Sequence, residues 1–250
     1  MPAAEGMAGL AKGLAVLEAF SRATPKLTIS DAARLTELNR AVARRCLLTL
    51  VELGYLTHDG KYFFPTPRML RLADTYVESS ALPQLAQRHL AAVREALQES
   101  ASLAVLQDGE SLFVARSEVL RIVNTGVRTG ATLPAYASAT GHVLLAGLTP
   151  EELESYLDTA RPKARTPKTP TSAEEIRQRV EKARAEDVAT TDEELELGLR
   201  SMAVPVRDSR GRTVAAMSVS AMASRVSVAQ LYDEFLPVLR ENADQLGRIL

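Results

Sequence analysis

Several residue types that mark particular protein classes are scarce in this 250-residue chain. It has one cysteine, Cys46, and no tryptophan, and aromatic residues make up 4% of the sequence. A lone cysteine cannot form an internal disulfide or a thiolate metal cluster, so we interpret Cys46 as a small core residue. No apolar run approaches the roughly 18 residues of a membrane-spanning helix. Because Glu5 precedes the first lysine, Lys12, the N-terminus does not resemble a signal peptide, and we expect a cytoplasmic protein with no membrane partner.

Motifs of common enzyme classes are missing as well. The sequence has no Gly-x-Ser-x-Gly elbow, no Walker-type phosphate loop and no His-Glu-x-x-His zinc motif. Its three histidines, His58, His89 and His142, do not have metal-ligand spacing. The acidic runs Glu151-Glu152 and Asp192-Glu193-Glu194 are typical of helix starts and solvated turns. We therefore expect no catalytic residues, no metal site and no cofactor.

Residues 28–64 contain the succession of elements that defines a winged helix-turn-helix. Thr28 and Asp31 form a capping-box pattern, which predicts the start of a short helix. After a three-residue turn, Asn39 is placed to cap a second helix with apolar residues on one face. Asp59-Gly60 then predicts a hairpin that acts as the wing. This stretch predicts a domain that binds double-stranded operator DNA.

The N-terminal half of the second helix carries the long donors that reading of the major groove requires, because base edges present acceptors there. Arg40, Ala41 and Arg44 fit this requirement. The alternative interpretation is that they lie on an ordinary solvated helix face that does not bind DNA. Residues 1–75 carry ten Lys or Arg and seven Asp or Glu, an excess too small to count as independent support. The predicted DNA-contacting residues are Thr28, Asn39, Arg40, Ala41, Arg44 and the wing residue Lys61.

The rest of the chain indicates a linker and a second domain, since about 100 to 200 residues form one domain. Leu10, Leu14, Leu17 and Phe20 predict a first helix, and 69–77 predicts a linker helix after the wing. Hairpin strands flanked by helices indicate an α+β domain with an antiparallel sheet. We expect its helices at 85–97, 137–146, 151–157, 173–185 and from 227 onward, and its strands at 102–107, 111–117, 120–126, 204–206 and 213–220.

A cluster of small polar residues in the second domain suggests a ligand site. In the strand 213–221, a period of two places Ser218 and Ser220 on one face. The alternative to a ligand site is that both hydroxyls form hydrogen bonds with nearby backbone. The helix start that follows Tyr136 favours a ligand, because its small side chains allow close approach and a helix N-terminus attracts an anion. A small carboxylate effector is expected at Tyr136, Ser138, Thr140, Gly141, Ser201, Ser218 and Ser220.

Four segments resemble the IclR family of transcriptional regulators over residues 9–250. They are 13–20, 40–55, 133–147 and 192–220, the last containing Glu-Leu-x-x-Gly-Leu-x-Ser and Ser-Val-Ser. The run Phe64-Pro65-Thr66-Pro67-Arg68, together with Leu133-Pro134-Ala135-Tyr136, further resembles the branch that controls aromatic-acid catabolism through the β-ketoadipate pathway.

The resemblance implies a winged helix-turn-helix at 9–67, a linker helix at 68–83 and a GAF-like effector domain at 84–250. It also implies a homodimer or a dimer of dimers on operator DNA. By position, Arg45 matches an arginine common in the recognition helix. Ser201, Ser218 and Ser220 fall where family members contact their effector, and the loop from Ser138 to Gly141 borders the same pocket. Two residues depart from the pattern: Cys46 replaces a larger side chain and His142 replaces Arg or Lys.

The predicted function is an effector-responsive DNA-binding regulator of transcription that senses a small aromatic carboxylate such as 4-hydroxybenzoate or protocatechuate. One alternative is an IclR-type regulator that senses a short aliphatic oxo-acid. Another is an enzyme for a small acid fused to a DNA-binding domain. A third is a DNA-binding interaction protein whose second domain only dimerises.

Overall fold

The computed structural model describes residues 6–21, 23–119 and 127–250. The chain divides into two compact units, Met1–Tyr76 and Val77–Leu250. The division falls within the helix α4 (Leu70–Ser79). None of the helices within the described residues combines the length and the apolar character that crossing a membrane demands.

The N-terminal unit has the predicted winged helix-turn-helix. Thr28 caps the second helix by accepting a hydrogen bond from the Asp31 amide at 3.2 Å, while the Asp31 carboxylate accepts one from the Thr28 amide at 3.0 Å. The Asn39 side chain accepts from the Val42 amide at 2.9 Å and so begins the third helix. Before α4 the unit contains α1 (Ala8–Glu18), α2 (Ile29–Leu35), α3 (Arg40–Glu52), and the antiparallel strands β1 (Leu56–His58) and β2 (Phe63–Pro65).

Several apolar side chains that share a helix face with core residues of this unit are exposed. Leu10 and Leu14 of α1 are exposed, as are Leu35 at the end of α2 and Leu53 after α3. Helical spacing identifies which residues share a face, but it does not reveal whether another element covers that face. The core itself is formed by Val16, Leu17, Leu27, Ala32, Ala33, Ala43, Leu47, Leu50, Leu56 and Phe63.

The C-terminal unit is built on one six-stranded antiparallel sheet with helices on both faces, as the predicted α+β class requires. Its helices are α5 (Ala81–Leu97), α6 (Ala139–Ala146), α7 (Pro150–Thr159) and α8 (Ala173–Glu186). The last helix, α9, runs from Val228–Gln230 through a π-helical turn at Leu231–Phe235 into Leu236–Gly247. The strands are β3 (Ala101–Gln107), β4 (Glu110–Ser117), β5 (Thr132–Pro134), β6 (Ala189–Asp192), β7 (Leu199–Arg207) and β8 (Thr213–Met222), in the spatial order β5-β4-β3-β8-β7-β6.

The two faces of this sheet bury different helices because successive strand residues point to opposite sides. The outer face carries the large apolar side chains of β3, β7 and β8 and packs against α5 and α9. The inner face has smaller residues, including Ala104, Ala203 and Ala216, which pack with Val143 and Leu144 of α6 and with Ala183 of α8.

Turn chemistry predicted the β3–β4 hairpin correctly, since Asp108 and Gly109 adopt positive φ angles of 51° and 77°.

Strands β5 and β6 were not predicted, because both are short and lack apolar alternation. The helix expected from 137 begins at Ala139, and the one expected from 85 begins at Ala81. The π-helical turn interrupts the predicted C-terminal helix just before Pro237, which lacks a backbone N–H. The strand expected at 120–126 lies outside the described residues.

Candidate DNA interface and effector site

The exposed N-terminal end of α3 presents the predicted base-reading residues. Arg40, Ala41 and Arg44 are all exposed. Thr28 and Asn39 lie close by in the chain, but both side chains cap helices. Hydrogen bonds from Thr28 hold the pKa of Asp31 below its usual range, with a smaller contribution from the charge of Arg34. Of the predicted DNA-contacting residues outside the wing, the three on α3 are therefore exposed, and the side chains of the other two cap the starts of helices.

The wing presents two lysines around one tyrosine ring. The Asp59 carboxylate accepts from the amides of Lys61 and Tyr62 at 2.9 and 2.8 Å, and these bonds lower the pKa of Asp59, with Tyr62 contributing most. Lys61 Nζ lies 5.0 Å from the centre of the Tyr62 ring, and Lys26 Nζ lies 4.3 Å from it. The sequence-based prediction missed Lys26, because only the pairing of Leu27 with Phe63 brings it to the wing.

A further feature of the N-terminal unit is an apolar groove of about 690 Å³ between α1 and α3. Its lining includes Leu10, Leu14, Leu53 and Leu72. Cys46, which we interpreted as a core residue, is half-buried: it packs against the core of this unit and also lines the groove. The exposed Arg45 also lines the groove and Arg44 does not, so the two arginines project on different sides of α3. The lining further contains Lys12, Gly13, Leu17 and Val42.

In the C-terminal unit, serines of three neighbouring strands gather at one end of the inner face. Ser102 of β3 is opposite Ser218 of β8, and Ser201 of β7 is opposite Ser220. The hydroxyl oxygens of Ser201 and Ser220 lie 2.8 Å apart. We call Ser102, Ser201, Ser218 and Ser220 the serine cluster.

The predicted helix start belongs to a different part of the same face. Ser138 caps α6 by accepting from the Gly141 amide at 3.2 Å, and its hydroxyl donates to the Pro134 carbonyl at 3.0 Å. Thr140 donates to the Ser111 hydroxyl at 3.1 Å. All of these hydroxyls are buried and hydrogen-bonded to one another or to backbone.

Two more of the predicted residues have structural contacts. A Cβ atom on Gly141 would lie 2.2 Å from Ala135 Cα, so glycine is required for α6 to approach the preceding turn. The Tyr136 hydroxyl accepts from the Lys163 amide at 3.0 Å and donates to the Lys163 carbonyl at 3.2 Å. Tyr136 therefore anchors the loop between α7 and α8.

The structure separates these residues from the serine cluster. Ser111 is opposite Leu106, four residues along β3 from Ser102. At about 3.3 Å per residue, this places the two groups roughly 13 Å apart along the strand. Ser201, Ser218 and Ser220 are thus brought together, whereas Ser138, Thr140, Gly141 and Tyr136 form a second group around the start of α6.

Arg116 is a residue that the sequence-based prediction missed. Its side chain is only 5% exposed, on the inner face beside Ser102, whose hydroxyl accepts from Arg116 Nη1 at 2.8 Å. Arg116 Nε also donates to Glu118 Oε1 at 2.7 Å. The available signal was an arginine within an otherwise buried strand, since arginine is seldom buried without a specific partner.

The acidic run that begins with Asp192, the last residue of β6, is ion-paired and therefore more than the solvated turn that its sequence indicated. Asp192 Oδ1 lies 2.5 Å from Arg200 Nε, and this hydrogen bond is the main reason that the pKa of Asp192 is lowered. Lys168 Nζ lies 3.1 Å from Asp192 Oδ2 and 2.7 Å from Glu193 Oε2. Glu194 pairs with Arg179 at 3.1 Å, although burial raises the pKa of Glu194. In the described part of the chain, no group of acidic, histidine or cysteine side chains is arranged to hold a metal ion.

Comparison with known proteins agrees with both units. Residues 9–60 match the IclR helix-turn-helix domain, and residues 74–248 match the C-terminal domain of bacterial IclR transcriptional regulators. The chain is 39% identical to the Pca regulon regulatory protein of Pseudomonas putida, over 93% of this chain and 80% of that protein. It is 38% identical to the p-hydroxybenzoate hydroxylase transcriptional activator of Acinetobacter baylyi, over 98% and 92% of the two chains.

A solved structure has the same architecture throughout. The IclR homologue of Microbacterium hydrocarbonoxydans, complexed with 4-hydroxybenzoate, is 28% identical and superposes with a TM-score of 0.76 over 96% of this chain and 97% of its own. The resemblance to the IclR family and its aromatic-acid branch is confirmed, and the relatives are regulators rather than enzymes. The chain belongs to the IclR family of bacterial transcriptional regulators.

Proposed function

We propose that this protein is a DNA-binding transcriptional regulator whose affinity for its operator is controlled by a small aromatic carboxylate. The observation that carries this proposal is the combination of a capped helix with exposed arginines in one unit and a serine cluster in the other. In this proposal residues 9–67 bind DNA, 68–83 link the domains and 84–250 bind the effector. Relatives named for the Pca regulon and for p-hydroxybenzoate hydroxylase support the same chemistry.

The N-terminal end of α3 is the proposed base-reading element. Arginine can donate two parallel hydrogen bonds to guanine, and Arg40 and Arg44 are exposed on this end of the helix. Lys61 and Lys26 on the wing are proposed to contact phosphates, which contributes affinity without sequence preference. Thr28 and Asn39 then act mainly by capping the helices that carry or support these contacts.

A homodimer, or a dimer of dimers, is the proposed binding species. One winged helix contacts too little DNA for tight specific binding, and two-fold symmetry doubles the contacts. The apolar groove supplies a surface for this association, because Leu10, Leu14, Leu53 and Leu72 are 60, 47, 51 and 52% exposed. Monomeric proteins seldom expose a contiguous apolar surface of this kind.

The serine cluster is the proposed effector site. A carboxylate that leaves water needs several donors in return, since an unpaired buried anion is very costly. Ser201, Ser218 and Ser220 provide hydroxyls on one face, and Ser218 is opposite Ser102, which accepts a hydrogen bond from Arg116. The second group of predicted residues is proposed to hold α6 and its flanking loop in place, because their polar groups are hydrogen-bonded to other parts of the protein. These residues are Ser138, Thr140, Gly141 and Tyr136.

Titration calorimetry on the full-length protein tests the effector class. We expect 4-hydroxybenzoate or protocatechuate to bind with micromolar affinity, or roughly −8 kcal/mol, and short oxo-acids to bind much more weakly. Replacing both Ser218 and Ser220 by Ala should weaken binding by about 1–3 kcal/mol per lost bond to the charged effector. The exposed Ser209→Ala is the control and should bind like wild type. Binding of short oxo-acids without any aromatic acid would refute the proposed effector class.

A further inference from the structure

The wing holds two lysine ammonium groups around a single tyrosine ring. Lys26 Nζ lies 4.3 Å from the centre of the Tyr62 ring and Lys61 Nζ lies 5.0 Å from it, and both lysines are exposed. Both distances are within the roughly 6 Å at which the face of an aromatic ring attracts a cation. One half-buried ring therefore keeps two positive charges close together on the surface of the N-terminal unit.

The backbone on both sides of the ring is fixed. Phe63, which follows Tyr62, is buried, and its amide donates to the carbonyl of the buried Leu27 at 2.9 Å. The Leu27 amide donates back to the Phe63 carbonyl at 3.2 Å, so the segment that carries Lys26 is held against the wing. The Asp59 carboxylate accepts from the Tyr62 amide at 2.8 Å. The position of the ring is thus determined by contacts that do not involve the two ammonium groups.

The two lysines are available to an anion outside the chain. Within the described residues, neither Lys26 nor Lys61 forms an ion pair with a carboxylate. Backbone hydrogen bonds, first of all from Tyr62, lower the pKa of Asp59 the most, and the charge of Lys26 contributes least. A lysine ammonium has three donors, so one that rests against a ring can still donate to another group.

A ring that orders lysine side chains strengthens binding to an anion. Immobilising one long, flexible side chain at an interface costs roughly two- to tenfold in affinity. A lysine that is already held against Tyr62 has lost part of this freedom before the anion arrives. DNA phosphate is the anion that fits this surface, because α3 of the same unit presents Arg40 and Arg44 to solvent.

We propose that Tyr62 is a positioning residue for DNA binding, whose ring holds the ammonium groups of Lys26 and Lys61 in place for phosphate oxygens of the DNA backbone. This assignment rests on the proposed function and deepens it, because it names an uncharged residue that sets the strength of the phosphate contacts. The ring carries this role and the phenol hydroxyl does not. The effect is equal for all DNA sequences, since phosphates carry no sequence information directly.

The test titrates a fluorescently labelled DNA duplex of mixed sequence with the full-length protein at several salt concentrations. Tyr62→Leu should weaken binding by roughly tenfold at fixed salt, because two lysines lose their support. The dependence of log affinity on log salt concentration should not change, because both charges remain. Lys26→Ala should instead lower that dependence by about one. Tyr62→Phe keeps the ring and should bind like wild type, as should the control Lys182→Ala on α8.

A combined variant separates positioning from a purely structural role. When Lys26 and Lys61 are both replaced by Ala, adding Tyr62→Leu should cause no further loss of affinity. A tenfold further loss would show that Tyr62 acts through the folding of the wing, and would overturn the assignment. Equal binding by Tyr62→Leu and wild type, or a loss in Tyr62→Phe as large as that in Tyr62→Leu, would overturn it as well.

A second ring variant keeps the assignment testable if Tyr62→Leu is poorly folded. Tryptophan attracts cations more strongly than tyrosine, so Tyr62→Trp should bind the duplex at least as tightly as wild type. Weaker binding by Tyr62→Trp would contradict the role of the ring. A wild-type protein that binds no DNA duplex would instead refute the proposed function, and this assignment with it.

Discussion

Replacing His142 by Gln should remove a defined part of the acid sensitivity of the C-terminal unit. His142 is 1% exposed, and its Nε2 donates to the Tyr136 carbonyl at 2.8 Å. Burial is the main reason that the pKa of His142 is lowered from 6.5 to about 4; the bond to Tyr136 opposes this shift, and the charge of Arg179 adds to it. The folded protein therefore keeps this imidazole neutral at pH 7.

The direction of the pH effect follows from the lowered pKa. As the pH falls through 6.5, His142 takes up a proton in the unfolded chain but not in the folded one, so folding becomes less favourable. This contribution to stability is complete above pH 6.5 and is lost progressively down to about pH 4. Between pH 8 and pH 5 the loss is about 2 kcal/mol, since one pKa unit corresponds to about 1.4 kcal/mol.

Urea unfolding of wild type and His142→Gln at the two pH values measures this loss. Glutamine can still donate to the Tyr136 carbonyl but does not titrate, so the decrease between pH 8 and pH 5 should be about 2 kcal/mol smaller in the variant. The control is His58→Gln on the exposed wing, which should retain the full wild-type decrease. An equal decrease in wild type and His142→Gln would refute the reasoning.

The remaining predictions concern the DNA interface, the packing of α6 and the oligomer. Arg44→Ala should weaken operator binding by about 1–3 kcal/mol and relax base preference. Lys61→Ala should weaken binding to all DNA sequences alike, and it should lower the dependence of log affinity on log salt concentration by about one. Gly141→Ala should lower the free energy of unfolding by about 3 kcal/mol or more, because its Cβ would overlap the backbone of Ala135. Leu14→Asp should reduce the mass found by light scattering from two or four chains to one.

Each of these predictions has an outcome that would contradict it. Equal affinity of Arg44→Ala and wild type at fixed salt would remove α3 as the reading helix. A stable, well-folded Gly141→Ala would show that α6 can move away from the preceding turn. A concentration-independent wild-type monomer that still binds one half-site tightly would refute the dimer.

Local sequence signals were sufficient wherever the determining contacts join residues close together in the chain. The caps formed by Thr28 with Asp31 and by Asn39 with Val42 lie within three residues, and both helix starts were predicted correctly. The hairpin at Asp108-Gly109 depends on backbone angles that Gly and Asp adopt readily. Strand alternation likewise predicted that Ser218 and Ser220 share a face.

The sequence by itself therefore determined the winged helix, the α+β class and the family. The tertiary structure alone decided which distant segments meet, because strand register is set by packing of the whole sheet. It placed Arg116 beside Ser102, brought Lys26 to the wing, and separated the start of α6 from the serine cluster. It also left Leu14 exposed although its helical spacing resembles that of a core residue, because no described element of the chain covers the groove.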